Sequence, residues 1–600
     1  MKPLILAASL LFLAACSSKN TEKPGTDSTT PNTAQTNQKL ALLFDSYYEE
    51  RLKLFPFEAT SQGDNRYNDQ LPNDISQEFI GKTRQFYESN LRNLQAFSRD
   101  SLSDQDRIAY DVLERELKIQ LEGEKFRTET MPFQQFWGLP LSMGQYGSGE
   151  SSQPFKTVKD YDDWLKRVSA FTIWADTAIA NFRRGAATGM VLPKVLVEKI
   201  IPQMDGLVVA DPTKSLFYGP INKLPKDFSD ADKKRLTAAY KKAITEQIVP
   251  TYKKLGTFLK SEYLSNTRAT AGIGALPQGK EMYAYFARYW TTTDKTPEEI
   301  YQTGGQEVAR IKGEMEKVKT QVGFKGDLNA FFKHLQADPK FYPYKTPEDV
   351  LKAFRAIHEK LKPNVARMFS QTPKTPFEIR RTEAFREASA SAEYNQGSAD
   401  GSRPGIFYVP IPDAKKFNVT SGMESLFLHE AIPGHHYQIS LQQENTSLPK
   451  FMRFSFNGAY AEGWALYTES LGKELGLYTD PYQYMGALGD EMHRAIRLVV
   501  DVGLHTKGWT REEAIKYMTD NEPIAEQGAV AEIERYMAIP GQALSYKIGA
   551  LKIREIRDKY EQQMGAKFNL AAFHDQILKD GCLPLDVLER KMDAWAAREK

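Results

Sequence analysis

Cysteine is almost missing from this chain of 600 residues, with Cys16 and Cys582 the two present. A lone internal Cys582 reads as packed core rather than as a nucleophile. Charge imbalance is missing too: the net charge of +2 gives no basic groove for nucleic acid and no hint of a polyanionic partner. There is no G-x-S-x-G elbow and no G-x-G-x-x-G fingerprint, so the serine-hydrolase and dinucleotide-binding readings find no motif. Gly274 to Lys280 has the spacing of a phosphate-binding loop, but Glu281 stands where the magnesium-binding Ser/Thr belongs and no apolar strand precedes it, so a turn is expected. No internal repeat is seen. Hydrophobic content of 41% and charged content of 26% are ordinary for a soluble globular protein, and the length calls for more than one packed lobe.

The N-terminus is more specific. Lys2 and the apolar run Leu4 to Leu13, too short to span a bilayer as a mature helix, form a signal-peptide pattern. It ends in Leu13-Ala14-Ala15-Cys16, which resembles a bacterial lipobox. That implies lipidation of Cys16 after removal of residues 1–15, leaving no internal disulfide. Ser17 after the Cys points to the outer membrane, with the protein facing the periplasm of a Gram-negative cell. Residues 16–39, rich in Ser, Thr, Asn, Pro and Gln, read as a flexible tether.

Beyond the tether helical signals dominate. Ser103 to Glu124 carries an apolar stripe of Ile108, Val112, Leu113 and Leu117. Thr296-Pro297-Glu298-Glu299 and Thr346-Pro347-Glu348-Asp349 set Thr at the N-cap, Pro at the first helical position and an acid at the third. Thr510 to Glu513 repeats the box without proline. Strand candidates are few, the best being Gly405 to Val409. The turn-rich stretch Thr267 to Gly279 suggests an N-terminal helical lobe over 40–275 and a second lobe over 276–600.

Chemistry concentrates where histidine does. Of eight histidines, His429, His435 and His436 fall together. The capping box Ser421 to Glu424 predicts a helix that runs into His429-Glu430. A His-Glu pair with a further His supplies imidazole ligands and a carboxylate placed to take a proton from water. The usual spacing is H-E-x-x-H, whose two imidazoles sit about 6 Å apart along the axis. Here Pro433 interrupts it. On a straight helix His436 shares the face of His429 but lies about 10.5 Å further along, while His435 lies about 9 Å along and is rotated roughly 120° away. A kink or π-bulge at Pro433-Gly434 is needed, and the sequence leaves His435 and His436 both open as the second ligand.

Glu462 sits in an apolar segment, Ala459 to Tyr467, where an ionised acid is costly unless paired or bound to a metal. It is the natural third ligand of a Zn²⁺ site with an open fourth position. Glu469, seven positions on, is a candidate support behind the metal ligands or a solvated charge, and is read as the latter. Glu430 is the expected general base. Arg497, Asp501 and His505 recur along one helical face, so Asp501 is expected to orient His505 as an oxyanion donor. Tyr546 is a second donor. Arg497, Tyr536 and Lys547 are candidate substrate contacts, and the strand at 405–409 is a candidate edge for an extended peptide.

The segments HEAIPGHHYQ (429–438), EGWALYTE (462–469), RLVVDVGLH (497–505) and PGQALSYKIG (540–549) resemble those of a bacterial family long described only as a domain of unknown function, many of its members lipoproteins. The resemblance covers roughly residues 40 to 600. That family is in turn similar to the glutamate-zinc peptidases typified by angiotensin-converting enzyme and thimet oligopeptidase. The resemblance implies a mainly α, two-lobed metallopeptidase-like fold around a deep cleft, with a few short strands. The expected function is a periplasmic, zinc-dependent metallopeptidase acting on a peptide or small amide and held to the membrane by its lipid. The rivals are a zinc hydrolase of another amide or ester, and a metal-stabilised binding lipoprotein without catalysis. Glu430 argues against the last, because a closed structural site needs no free carboxylate beside it.

Overall fold

The structure is a computed structural model that describes residues 33–383, 387, 390–398, 401 and 403–599. The signal peptide and Cys16 lie outside the described residues. The expected tether ends sooner than residue 39, because a helix already runs over Thr33–Leu54. Its Leu40 and Phe44 are buried, and this apolar anchorage is what makes the start of the helix part of the folded body.

The protein is mainly helical, with one small sheet. The predicted caps form: Thr296, Thr346 and Thr510 each accept from the third backbone N–H, while the acid there bonds back to the cap residue. Ser103 caps Asp104–Gly123, whose Val112, Leu113 and Leu117 are buried. Residues 273–279 form a short turn that leads into the helix Gly279–Thr291. No helix among the described residues is long and apolar enough to cross a membrane.

Three large apolar cores hold most of the helices, beside a small cluster of Tyr48, Leu52 and Ala59. One gathers Leu40, Phe44, Leu113 and Leu117 with Phe427, Leu428, Trp464 and Leu544. A second has its buried members between Phe133 and Tyr263, around Trp164, Trp174 and Tyr252, with Phe57, Leu71 and Ile75 packed against it. The third joins Val308 to Phe341 with the helices between Met485 and Ala543. The expected boundary at 275/276 therefore falls between residues that share a core, since Leu40 to Phe126 supply side chains that pack with the C-terminal half.

The sheet has the order β1 (Phe377–Arg381), β3 (Gly405–Val409), β2 (Glu393–Asn395), with β1 parallel and β2 antiparallel to β3. The predicted strand 405–409 is thus central. Both its edges are paired, so it offers none to a peptide, correcting that expectation. The edge nearest the functional site belongs to β2.

Candidate metal centre

The segment 423–444 forms two helices and not one bent helix. The first, Met423–Glu430, starts at Gly422 in the left-handed region (φ 75°), with no side-chain cap. The expected capping box does not form, because Ser421 donates instead to the carbonyl of Asn418 (2.6 Å) and Glu424 accepts from the Tyr478 amide (2.6 Å). The helix stops outright at Glu430, and a second runs over His435–Glu444. Ala431 to Gly434, with a cis Ile432–Pro433 bond, turn the chain between them.

Pro433 has no N–H to continue the ladder, and Gly434 folds back on the end of the first helix. A Cβ at Gly434 would lie 2.0 Å from the His429 carbonyl oxygen and 2.2 Å from that of Leu428. The turn is tied down by the third helix of the site, Gly458–Ser470. Trp464 Nε1 donates to the Pro433 carbonyl (2.8 Å), and Thr468 Oγ1 donates to that of Leu428 (2.9 Å). Carbonyls left over where the first helix ends thus find side-chain donors.

This break brings His429 and His435 together. Their ring centroids are 4.8 Å apart at 86°. Glu462 Oε2 lies 3.4 Å from His429 Nε2 and 3.5 Å from His435 Nε2. One donor atom from each of the three lies within 4.8 Å of the others, and this cluster is suited to a metal ion.

Of the two histidines left open by the sequence, the cluster takes His435. His436 is corrected: successive positions on a helix diverge by about 100°, so it turns away from the cluster. Its Nδ1 meets the Tyr394 hydroxyl (3.0 Å), its ring packs on Phe377, and burial pushes it down to about 4.

Glu469 is also corrected. It is buried, and its Oε1 lies 2.7 Å from His429 Nδ1, because two helical turns from Glu462 return it to the same face. A carboxylate on the far nitrogen fixes the ring and leaves Nε2 for the metal. Burial opposes protonation of His429, but hydrogen bonds to Glu462 and Glu469 raise it to about 10. Burial opposes ionisation of Glu462, yet bonds from both histidines hold its carboxyl well below the usual range. A proton and a metal ion are alternative occupants of this cluster.

The ligands open on a cavity of about 520 Å³. Glu430 lines it beside the ligands, buried, with its carboxyl pushed up by burial against the pull of His429 and His435. The facing wall comes from the helices Pro481–Thr506 and Glu526–Ala538 and from Tyr546. Here Glu532 is the hub: it takes Arg497 Nη2 (3.0 Å) and the Tyr536 hydroxyl (2.5 Å), with His493 Nε2 at 3.4 Å.

Two of the expected cavity residues are in place. Arg497 lines the wall, with its guanidinium 4.7 Å from the centre of the Tyr546 ring, and Tyr546 lines it as well. Tyr536 stands behind Arg497, bonded to its Nε (3.0 Å), and is a brace for that wall.

His505, Asp501 and Lys547 are corrected. His505 is fully buried away from the cavity, its Nδ1 accepting from the Ile273 amide (3.0 Å) and its Nε2 donating to the Tyr536 carbonyl (3.0 Å). Asp501 does not orient it, since that carboxylate accepts from the Tyr283 hydroxyl (2.6 Å) and the Gly541 amide (3.0 Å). Lys547 is buried in ion pairs with Glu307 (2.8 Å) and Glu491 (2.7 Å), so it is not available to a substrate carboxylate at the metal cavity.

Sequence reasoning missed Tyr394, His493, Arg494, Glu532 and Arg535, which also line the cavity. A signal was present for two of them. His493 and Arg494 precede Arg497 on one largely buried helix, and three such side chains in apolar company call for a polar cleft.

Fold and site together define a mainly helical protein with a His/His/Glu cluster suited to a metal, opening on a polar cavity. The model of the bacterial protein family of unknown function DUF885 matches residues 56–592, and the chain belongs to that family. No curated protein matches it. A solved structure from Colwellia psychrerythraea, described as a candidate lipoprotein, is 30% identical with a TM-score of 0.86, over 94% of this chain and 99% of that one. Another, from Shewanella oneidensis, described as a candidate lipoprotein of unknown function, is 21% identical with a TM-score of 0.73, over 92% of this chain and 99% of its own. A Pyrococcus furiosus carboxypeptidase aligns over 95% of this chain and 99% of its own at 8% identity, but its TM-score of 0.39 is too low to bear on the fold.

Proposed function

We propose that this protein is a zinc-dependent hydrolase, a peptidase, anchored through a lipidated Cys16 to the periplasmic side of the outer membrane. The observation that carries the catalytic reading is the convergence of His429, His435 and Glu462 within 4.8 Å, with Glu430 lining the same cavity. Two imidazoles and one carboxylate fit zinc, and three protein ligands leave a position open for chemistry. His435 Nδ1, enclosed without a hydrogen-bond partner among the described residues, leaves the opposite nitrogen, the one facing Glu462, as the ring's working atom.

A zinc ion held there supplies a Lewis acid that acidifies water and polarises a carbonyl. The chain does the rest. Glu430, buried at the cavity wall, takes the proton from the attacking water and passes it to the leaving amine. Glu469 holds the His429 ring in place throughout. Tyr546, which lines the cavity with the Arg497 guanidinium against its ring, is the residue to which we assign donation to the developing oxyanion. An extended peptide is best served by the outer edge of β2, whose Glu393 and Tyr394 line the cavity. The lipobox-like run before Cys16 and the description of two similar structures as candidate lipoproteins support the anchor.

The test is incubation of the zinc-loaded protein with a mixed peptide library, with cleavage read by mass spectrometry, alongside Glu430→Gln. New termini are expected from the wild type and are abolished by chelation. Glu430→Gln should retain zinc while losing about 10²- to 10⁴-fold in rate, the usual worth of a positioned acid–base group. Full hydrolysis by that variant, or a wild type that binds no zinc, would overturn the reading.

A further inference from the structure

The arginines of the cavity wall are not equally engaged. Arg497 bonds Tyr536 through Nε (3.0 Å) and Glu532 through Nη2 (3.0 Å). Arg535 bonds Gln542 (2.8 Å) and faces Glu532 at 3.4 Å. Arg494 differs. Among the described residues its one hydrogen bond is from Nη1 to the carbonyl of Asp490 (3.2 Å), one helical turn back. Its Nε is buried without a partner among the described residues. Its nearest carboxylate, that of Asp490, is 3.6 Å away, and Asp490 Oδ2 is already held by the Ser425 hydroxyl (2.6 Å). A guanidinium is permanently charged and carries five N–H donors in a fork that matches a carboxylate. Arg494 therefore brings into the cavity a cation whose fork is largely unused.

The acids around Arg494 have partners of their own: Asp490 Oδ2 is held by Ser425 and Glu469 Oε1 by His429. Glu532 is matched by Arg497, Arg535 and His493, and Glu462 is committed to the two histidines. Glu430, the base, lines the same cavity as Arg494.

Resting on the peptidase reading, we propose that Arg494 receives the free α-carboxylate of a bound peptide, so that the enzyme removes residues from the C-terminus of its substrates. A carboxylate anchored on this wall fixes which peptide bond reaches the metal cluster. A chain lacking a terminal carboxylate leaves the guanidinium unpaired in a secluded site, and that loss is what discriminates.

The experiment uses two peptides of one sequence, one with a free C-terminal acid and one with a C-terminal amide, cut by the zinc-loaded full chain. The acid should be cleaved near its C-terminus, and amidation should lower kcat/KM by about 10- to 100-fold, the range for losing a hydrogen bond to a charged group. Arg494→Gln should lose a similar factor on the acid and little on the amide, with zinc content and Tm unchanged, while Arg494→Lys recovers part of the loss. Equal cleavage of both peptides by the wild type, or an equal loss on both in Arg494→Gln, would overturn this assignment and leave the peptidase reading standing. Both peptides intact with zinc bound would overturn that reading and this proposal with it.

Discussion

His429 and His435 stand six positions apart, yet their rings meet nearly at right angles with centroids 4.8 Å apart. No straight helix achieves this, since six positions carry a side chain about 9 Å along the axis. The chain gets there by ending one helix at Glu430 and starting another at His435. The metal cluster therefore depends on a turn of four residues.

Gly434 is the position where that dependence is sharpest. Gly434→Ala sets a methyl within 2.0 Å of the His429 carbonyl oxygen, so the backbone must shift. We expect a destabilisation of about 3 kcal/mol or more, above the usual range for overpacking because the clash is with main chain. His435 moves with the turn, so zinc affinity falls in the fraction that stays folded. Denaturant melts and chelator competition read the two effects separately, and a variant with wild-type stability contradicts this account of the turn.

Glu469 gives a prediction of a different kind. Glu469→Gln keeps the shape of the contact with His429 Nδ1 but removes its charge. Zinc affinity should weaken about 10- to 100-fold, as when other carboxylates behind ligating histidines are altered. Unchanged competition against a chelator would mean that the carboxylate does nothing for the ligand.

His505 separates a structural role from a catalytic one. His505→Gln should cost about 1–3 kcal/mol, the penalty for disturbing buried hydrogen bonds, while activity per folded molecule and zinc content hold. Burial pushes both His505 and His574 down to about 3. Each is neutral in the folded protein and takes up a proton on unfolding below about pH 6.5. Their contribution is complete above that value and is lost as pH falls from it towards 3. The fall of Tm across this window should be shallower in His505→Gln, and an identical slope contradicts the assignment.

What was legible in the sequence follows from what local rules encode. Caps at Thr296, Thr346 and Thr510 form because Thr, Pro and an acid within one turn satisfy the helix end by themselves. His429 was readable from its pairing with Glu430 and the histidines that follow, and Glu462 because an acid in apolar company demands a partner. The choice between His435 and His436 was not readable, because it depends on the rotation set by Ala431 to Gly434, and Trp464 and Thr468 tie that turn from another helix. Glu469 was mistaken for a solvated charge because its partner lies 40 residues away in sequence. Arg497, Asp501 and His505 share a helical face as expected, but the face passes from the cavity into the core, and only Arg497 reaches the site.

The central claim is that the broken helix selects His435, with His429 and Glu462, to hold one metal ion. Its most direct test is zinc per chain, by mass spectrometry of metals after dialysis, in His435→Ala and His436→Ala. The account predicts near-complete loss of zinc in His435→Ala and one equivalent kept in His436→Ala. One equivalent retained by a folded His435→Ala, or zinc lost from a folded His436→Ala, would contradict it.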